Sequence, residues 1–236
     1  MPLPILILRP EPGASTTLAA ARAAGMTAHV FSLFEIRALP WEPVPRAEVD
    51  ALLLGSANAL RHGGTALTAY RGLPAYAVGE TTARAAREFG LDVIATGKGG
   101  LQNMLSALDP AHRRLLRLAG RERIELATPK GAEIITREVY ASEPRPLPDG
   151  MGALLTRPAL ALLHSGEAAA HLSTLCDEAG IARAHIRLAA IGPRVSARAG
   201  TGWADLQCAE SPDDAALLAL AARMCQEAAS GHHLPN

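Results

Sequence analysis

The residues with the clearest chemical potential are polar groups that follow short aliphatic runs. They are Arg9-Pro10, Gly55-Ser56, Gly79-Glu80-Thr81-Thr82, Ala119-Gly120-Arg121, His164-Ser165-Gly166 and Gly192-Pro193-Arg194. Free backbone N–H groups at a helix start attract anions, a nearby hydroxyl adds a donor, and glycine lets a ligand approach the main chain. The chemistry on offer is recognition of an extended polyanion. The plainer alternative for any one position is local: Ser56, Thr82 and Ser165 as helix caps, and the glycines as turns.

Other constellations are missing from the sequence. It has no Gly-x-Gly-x-x-Gly, no phosphate-binding loop and no Gly-x-Ser-x-Gly nucleophile elbow. Gly97-Lys98-Gly99-Gly100 lacks the following Ser or Thr and reads as a flexible connector. His62, His112, His164, His171 and His185 show no metal-ligand spacing and read as surface or strand-end residues, while His232-His233 falls in a tail expected to fray. Neither a metal nor a cofactor is expected. Cys176, Cys208 and Cys225 are odd in number and far apart, so reduced thiols in a cytosolic protein are predicted.

Composition narrows the classes further. Lys plus Arg (23) equals Asp plus Glu (23), giving no net charge, whereas a nucleic-acid binder carries a basic excess. Arg113-Arg114 reads as a solvated face. Met1-Pro2-Leu3-Pro4-Ile5 lacks the features of a signal peptide, and no apolar run approaches the ~20 residues of a membrane span. A soluble, cytoplasmic chain is expected, with no membrane or nucleic-acid partner and nothing demanding more than a monomer. Apolar residues make up 49% of the chain but aromatics only 3%, which suits Ala-rich helices packed on short aliphatic strands.

The elements that must position these residues alternate between strand and helix, the pattern of parallel-sheet α/β folds. Strands are predicted at 4–8, 29–36, 52–54, 75–78, 93–95, 115–118, 134–142, 160–163, 188–191 and 205–209. Helices are predicted at 15–24, 57–61, 82–89, 101–107, 167–179, 194–199 and 212–226, with Gly25 and Gly180 as stops and Ser211 as the last N-cap. In that arrangement the polar junctions line the carboxyl edges of the sheets, where ligands bind. Leu52–Asn58 resembles Ala161–Glu167, and Tyr76–Ala85 resembles Ala189–Ala199, in the same order, so two similar lobes are expected. Proline-rich stretches at 40–45 and 144–148 suggest an inserted lobe: 1–36 plus 144–236 form a discontinuous lobe, 40–140 the insertion, and strands around 33–40 and 138–146 the hinge. Two lobes with facing edges would make a cleft for a large polyanion.

In order and wording the junctions resemble those of the uroporphyrinogen-III synthase family. The matching stretches are Arg9-Pro10, Gly55-Ser56-Ala57-Asn58-Ala59-Leu60, Ala77-Val78-Gly79-Glu80-Thr81-Thr82-Ala83 and Leu118-Ala119-Gly120-Arg121. They continue with Val139-Tyr140-Ala141-Ser142-Glu143-Pro144, Leu163-His164-Ser165-Gly166 and Ala190-Ile191-Gly192-Pro193. Each is short, and specificity lies in the ordered set. The chain departs from the family at Leu8, Gly55 and Val195, where threonine is frequent, although Ser196 adjoins the last.

The resemblance implies two α/β lobes joined by a two-stranded ladder and a cofactor-free reaction. Hydroxymethylbilane, a linear tetrapyrrole polycarboxylate, would lose its terminal hydroxyl as water, invert ring D through a spiro intermediate and close. A transient handover from hydroxymethylbilane synthase would deliver it. Substrate contacts are implied at Arg9, Ser56, Asn58, Gly79, Thr81, Thr82, Gly120, Ser165, Gly166, Gly192, Arg194 and Ser196, with Arg9 or Arg194 as counter-charges. Tyr140 matches the family's recurrent tyrosine and is implied as general acid, since a phenol stays protonated at neutral pH and can donate; a packing tyrosine is the alternative. Two rival functions remain open: a cytosolic two-lobed module that binds an anionic ligand without chemistry, and a nucleotide-sugar glycosyltransferase.

Overall fold

Runs such as Ile5–Ile7, Ala51–Leu54 and Ala159–Leu163 are apolar at every position, which suits strands covered on both faces; each is buried along its whole length. In the computed structural model, which describes residues 3–230, these strands are the middles of two sheets in two units. Unit 1 comprises Met1–Glu35 and Pro144–Asn236, and unit 2 comprises Ile36–Glu143.

The chain begins with β1 (Ile5–Ile7), α1 (Gly13–Ala23), β2 (Ala28–Val30) and β3 (Phe34–Ala38). Unit 2 continues with β4 (Ala51–Leu54), α2 (Asn58–His62), β5 (Pro74–Val78), α3 (Glu80–Phe89) and β6 (Asp92–Gly97). It closes with α4 (Leu101–Met104), β7 (Arg114–Gly120) and β8 (Glu133–Pro144). Unit 1 resumes with α5 (Met151–Leu155), β9 (Ala159–Leu163), α6 (Gly166–Glu178) and β10 (Ile186–Ala190). It ends with α7 (Pro193–Ser196), β11 (Asp205–Cys208) and α8 (Asp214–Ser230).

The unit 1 sheet has the order β11-β10-β9-β1-β2 and is parallel throughout. Alternation along β1 sends Leu6 and Leu8 to one face, against Leu172 and Leu175 of α6. Ile5 and Ile7 go to the other, against Ala14 and Ala21 of α1 and Leu217 and Leu220 of α8. Each such buried aliphatic side chain stabilises the unit by about 1.5–3 kcal/mol. The unit 2 sheet runs β3-β8-β7-β4-β5-β6, with β8 through β6 mutually parallel. Leu52 and Leu54 pack with Ala59, Tyr70 and Ala86, while Ala51 and Leu53 pack with Leu101, Met104 and Leu105. Both units are therefore helix–sheet–helix layers, the α/β class predicted. Alanine suits this arrangement because its small side chain lets helices lie close to the sheet.

Two expectations about elements need correction. The single strand predicted at 29–36 is two strands, β2 and β3, interrupted at Phe31–Leu33. β2 pairs with β1 in one sheet and β3 neighbours β8 in the other, so the chain passes between sheets across Phe31-Ser32-Leu33, where Ser32 Oγ donates to the Arg9 carbonyl at 3.0 Å. The last helix is capped by Asp213, not Ser211. The Asp213 Oδ1 accepts the Ala216 N–H at 2.9 Å, and Ser211 Oγ donates to Asp213 Oδ2 at 2.6 Å. The carboxylate takes the cap because it is the stronger acceptor. Helix α5 was not anticipated, and Gly231–Asn236, including His232-His233, lies outside the described residues. The repeated segments are β4–α2 with β5–α3 and β9–α6 with β10–α7, adjacent parallel strands in both units. Among the described residues no helix is long and apolar enough to cross a membrane.

Strand order reverses between β1 and β9 in unit 1 and between β4 and β7 in unit 2. These are the switch points at which parallel sheets open a crevice at their carboxyl ends.

Candidate functional site

At the unit 2 switch point, β4 delivers Gly55-Ser56 and β7 delivers Gly120-Arg121 to the same edge. Ser56 Oγ accepts the Asn58 N–H at 3.2 Å, and Asn58 Oδ1 accepts from Arg61 Nη1 at 3.1 Å. Both predicted contact residues thus have local roles at the start of α2. After β5, the Gly79 carbonyl accepts the N–H groups of Thr82 and Ala83, each at 3.1 Å. The amides of Glu80 and Thr81 are left as the open donors of α3. Thr81 is exposed and Thr82 is buried.

Strand β8 brings Tyr140 opposite Gly120 after a register slip, and the Arg121 N–H donates to the Tyr140 carbonyl at 2.9 Å. The phenol ring lies on the glycine: a Cβ at position 120 would sit 2.7 Å from a ring carbon and 3.0 Å from the hydroxyl oxygen. Tyr140 is half-buried, and its hydroxyl makes no hydrogen bond among the described residues. A half-buried ring with an unengaged phenol at a sheet edge has a free O–H to donate. Beside it lies His62, the last residue of α2, its ring centroid 6.4 Å from that of Tyr140 with the planes tilted by 42°. Burial, and then the neighbouring Arg61 charge, push the His62 imidazole below its ordinary value.

The unit 1 switch point is organised differently. Arg9, after β1, donates through Nη1 to both oxygens of Asp214, at 2.9 and 3.1 Å. Thr17 Oγ1 donates to the same carboxylate at 2.6 Å, and His164 Nε2 meets it at 3.0 Å. Four elements, β1, α1, β9 and α8, therefore converge on one carboxylate. Gly13 makes room for this, because a Cβ there would fall 2.4 Å from Arg9 Nε. Burial, reinforced by the Arg9 charge, drives the His164 imidazole down to about 4 against the pull of Asp214. The ring is accordingly neutral; since a carboxylate only accepts, Nε2 carries its hydrogen, and the buried Nδ1 has no partner. His164 sits at the end of β9, the strand-end placement expected, but not at the surface, since its side chain is 7% exposed.

The remaining unit 1 residues divide into caps and free groups. Ser165 Oγ caps α6 by accepting the Ala168 N–H at 3.1 Å, and Gly166 packs under Arg198. The Gly192 carbonyl accepts the Val195 and Ser196 N–H groups, at 3.0 and 3.2 Å, and Ser196 Oγ turns back onto the Pro193 carbonyl at 3.0 Å. Arg194 is exposed and has no carboxylate within 4.0 Å among the described residues.

Three other histidines serve structure. His112 Nδ1 pairs with the Tyr76 hydroxyl at 2.9 Å, His171 Nε2 with the Arg145 carbonyl at 2.7 Å, and His185 Nε2 with the Leu155 carbonyl at 2.8 Å. Among the described residues no His, Cys, Asp and Glu cluster could hold a metal ion. The Cys176 thiol is buried and pushed up to about 11, which makes it inert. Sequence reasoning missed Asp214 and His62; neither has a local motif, and each matters only through a partner remote in sequence.

Residues 15–219 match the family model described as uroporphyrinogen-III synthase HemD. No curated protein matches the chain. Among solved structures, uroporphyrinogen-III synthetase from Helicobacter pylori superposes with a TM-score of 0.65 at 16% identity, over 95% of this chain and 100% of the other. A mutant uroporphyrinogen III synthase from Thermus thermophilus gives 0.55 at 17% identity, over 95% and 99%. Likeness at such identity speaks for the fold; the family match speaks for descent.

Proposed function

The chain belongs to the uroporphyrinogen-III synthase family, and on that premise we propose how its sheet edges divide the work. The enzyme is a cyclising lyase of haem biosynthesis: it dehydrates hydroxymethylbilane and closes it with inversion of ring D to give uroporphyrinogen III. Loss of hydroxide from an electron-rich pyrrole needs a proton at the leaving oxygen. The resulting cation must then be held in the conformation that inverts ring D, because unguided closure gives the uninverted isomer. Catalysis therefore rests on proton delivery, positioning and exclusion of water.

The observation that carries the assignment of roles is the Tyr140 hydroxyl, unengaged over Gly120 at the unit 2 switch point. Tyr140 is the general acid. Within unit 2, substrate carboxylates take the open amides of Glu80 and Thr81. Arg9, whose charge Asp214 already balances, shapes its edge and does not serve as a counter-ion. Ser56, Ser165 and Ser196 hold the junction backbones in place through their local bonds. The enzyme works as a cytoplasmic monomer that receives its unstable substrate from hydroxymethylbilane synthase.

The test is a coupled reaction of porphobilinogen, hydroxymethylbilane synthase and this protein, followed by oxidation and chromatographic separation of the isomers. Isomer III should replace isomer I. Persistence of isomer I with folded protein would favour the non-catalytic anion-binding module. A second expectation concerns the phenol's seat. Gly120→Ala forces the ring off its position and should lower kcat by about tenfold or more, since small misplacements of a reacting group are costly. The far-ultraviolet spectrum should not change; wild-type kcat would show that the Tyr140 position is not critical.

A further inference from the structure

We propose that His62, set against the Tyr140 ring at the carboxyl edge of unit 2, is the base that takes up the proton released at ring closure and returns it to the Tyr140 phenolate. The proposal rests on the reading of Tyr140 as proton donor and deepens it. The proton balance requires such a group. Dehydration breaks the carbon–oxygen bond and consumes one proton, which leaves with the hydroxyl as water and leaves a phenolate on Tyr140. Closure forms the last carbon–carbon bond at the free α-carbon of ring D, and that ring regains aromaticity by losing its α-hydrogen as a proton. One proton enters and one leaves, so a single acid–base pair can complete the cycle without exchange with bulk water.

The geometry fits the second half of that cycle. His62 and Tyr140 come from α2 and β8, and their rings pair at 6.4 Å. A substrate seated at this edge would meet both rings, and transfer through one bridging water lies within the reach of general acid–base catalysis. The His62 ring makes no hydrogen bond and has no carboxylate within 4.0 Å among the described residues, so its nitrogens are not committed elsewhere. Burial first, and then charge, hold the imidazole below its ordinary value and able to accept. Arg61 on the same helix opposes its protonation. On α3, Glu80 is paired with Arg87 and Arg84 with Glu88. On β7, Arg114 is paired with Asp50, and Arg117 donates to the Ile124 carbonyl.

The experiment compares the full-length wild type with His62→Ala, using hydroxymethylbilane made in situ with either hydrogen or deuterium at the ring D α-carbon. His62→Ala should lower kcat by about 10²-fold with KM changed less than about twofold. It should show a primary deuterium isotope effect larger than that of the wild type, because carbon deprotonation becomes limiting, and added imidazole should restore part of kcat. Wild-type turnover in His62→Ala overturns the proposal, as does a loss of activity without an increased isotope effect or imidazole rescue. Tyr140→Phe run in parallel separates the two readings. Wild-type turnover there removes the proton donor and this inference with it, whereas a slow Tyr140→Phe beside a normal His62→Ala removes only this inference.

Discussion

Tyr140→Phe should turn over about 10²-fold more slowly than the wild type, within the range that positioned general acids contribute, while KM and folding stay close to normal. The substitution deletes one oxygen from a ring whose packing on Gly120 and against the unit 2 core is unchanged. Because that hydroxyl makes no hydrogen bond among the described residues, its removal leaves no buried partner unsatisfied and little stability is at stake. An interaction used in the transition state alone lowers kcat and kcat/KM together. Initial rates of isomer III formation, with a urea melt as the folding control, separate the possibilities. Unchanged turnover would remove Tyr140 from the mechanism and leave it a packing residue.

The carboxylate of Asp214 should prove to be the main polar fastening of unit 1. Asp214→Ala leaves the Arg9 charge unbalanced and strips the His164 Nε2 of its acceptor, while the buried Thr17 hydroxyl falls back on the Gly13 carbonyl at 3.0 Å. Arg9 and Asp214 are 32% and 28% exposed, so solvent screens part of the ion-pair contribution. A loss of about 1–3 kcal/mol in urea unfolding is expected, mostly from the unsatisfied buried imidazole N–H. A loss under about 0.5 kcal/mol, the range of ordinary surface substitutions, would mean that water replaces the carboxylate without cost.

The same cluster makes stability depend on pH. The His164 imidazole is held at about 4 in the fold against 6.5 ordinarily, so between those values the unfolded chain binds the proton and the folded chain does not. The contribution is complete above 6.5 and is lost as pH falls towards 4, by about 3 kcal/mol in total. His164→Gln should flatten the stability profile across that interval. An equally steep acid slope in the variant would place its origin in other groups.

What could be read from the sequence was local. Strand and helix positions followed from runs such as Leu52–Leu54 and Ala161–Leu163, because side-chain periodicity and turn residues act within a few positions. The polar junctions were legible for the same reason, since a glycine, serine or threonine after an aliphatic strand reports the backbone there. The strand expected at 29–36 failed where local signals are weak: a single Ser32 between Phe31 and Leu33 marks the place where the chain leaves one sheet for the other. The cap of α8 fell to Asp213 over Ser211 because two acceptors two residues apart competed and the carboxylate is the stronger.

The sequence by itself determined the class of fold, the two sheets of buried parallel strands and the junctions that reach their carboxyl edges. Covalent connectivity and hydrophobic periodicity suffice for that. Only the tertiary structure decided which polar groups are spent and which are free. Arg9 looked available until Asp214, 205 residues away, was found balancing it. His164 read as a surface or strand-end residue, and only its burial at the end of β9 made it a neutral ring at that same carboxylate. Tyr140 and His62 stood as isolated residues until the register of β8 and the end of α2 set their rings side by side. Charge compensation, burial and hydrogen-bond satisfaction are properties of neighbours in space, and no spacing along the chain encodes them.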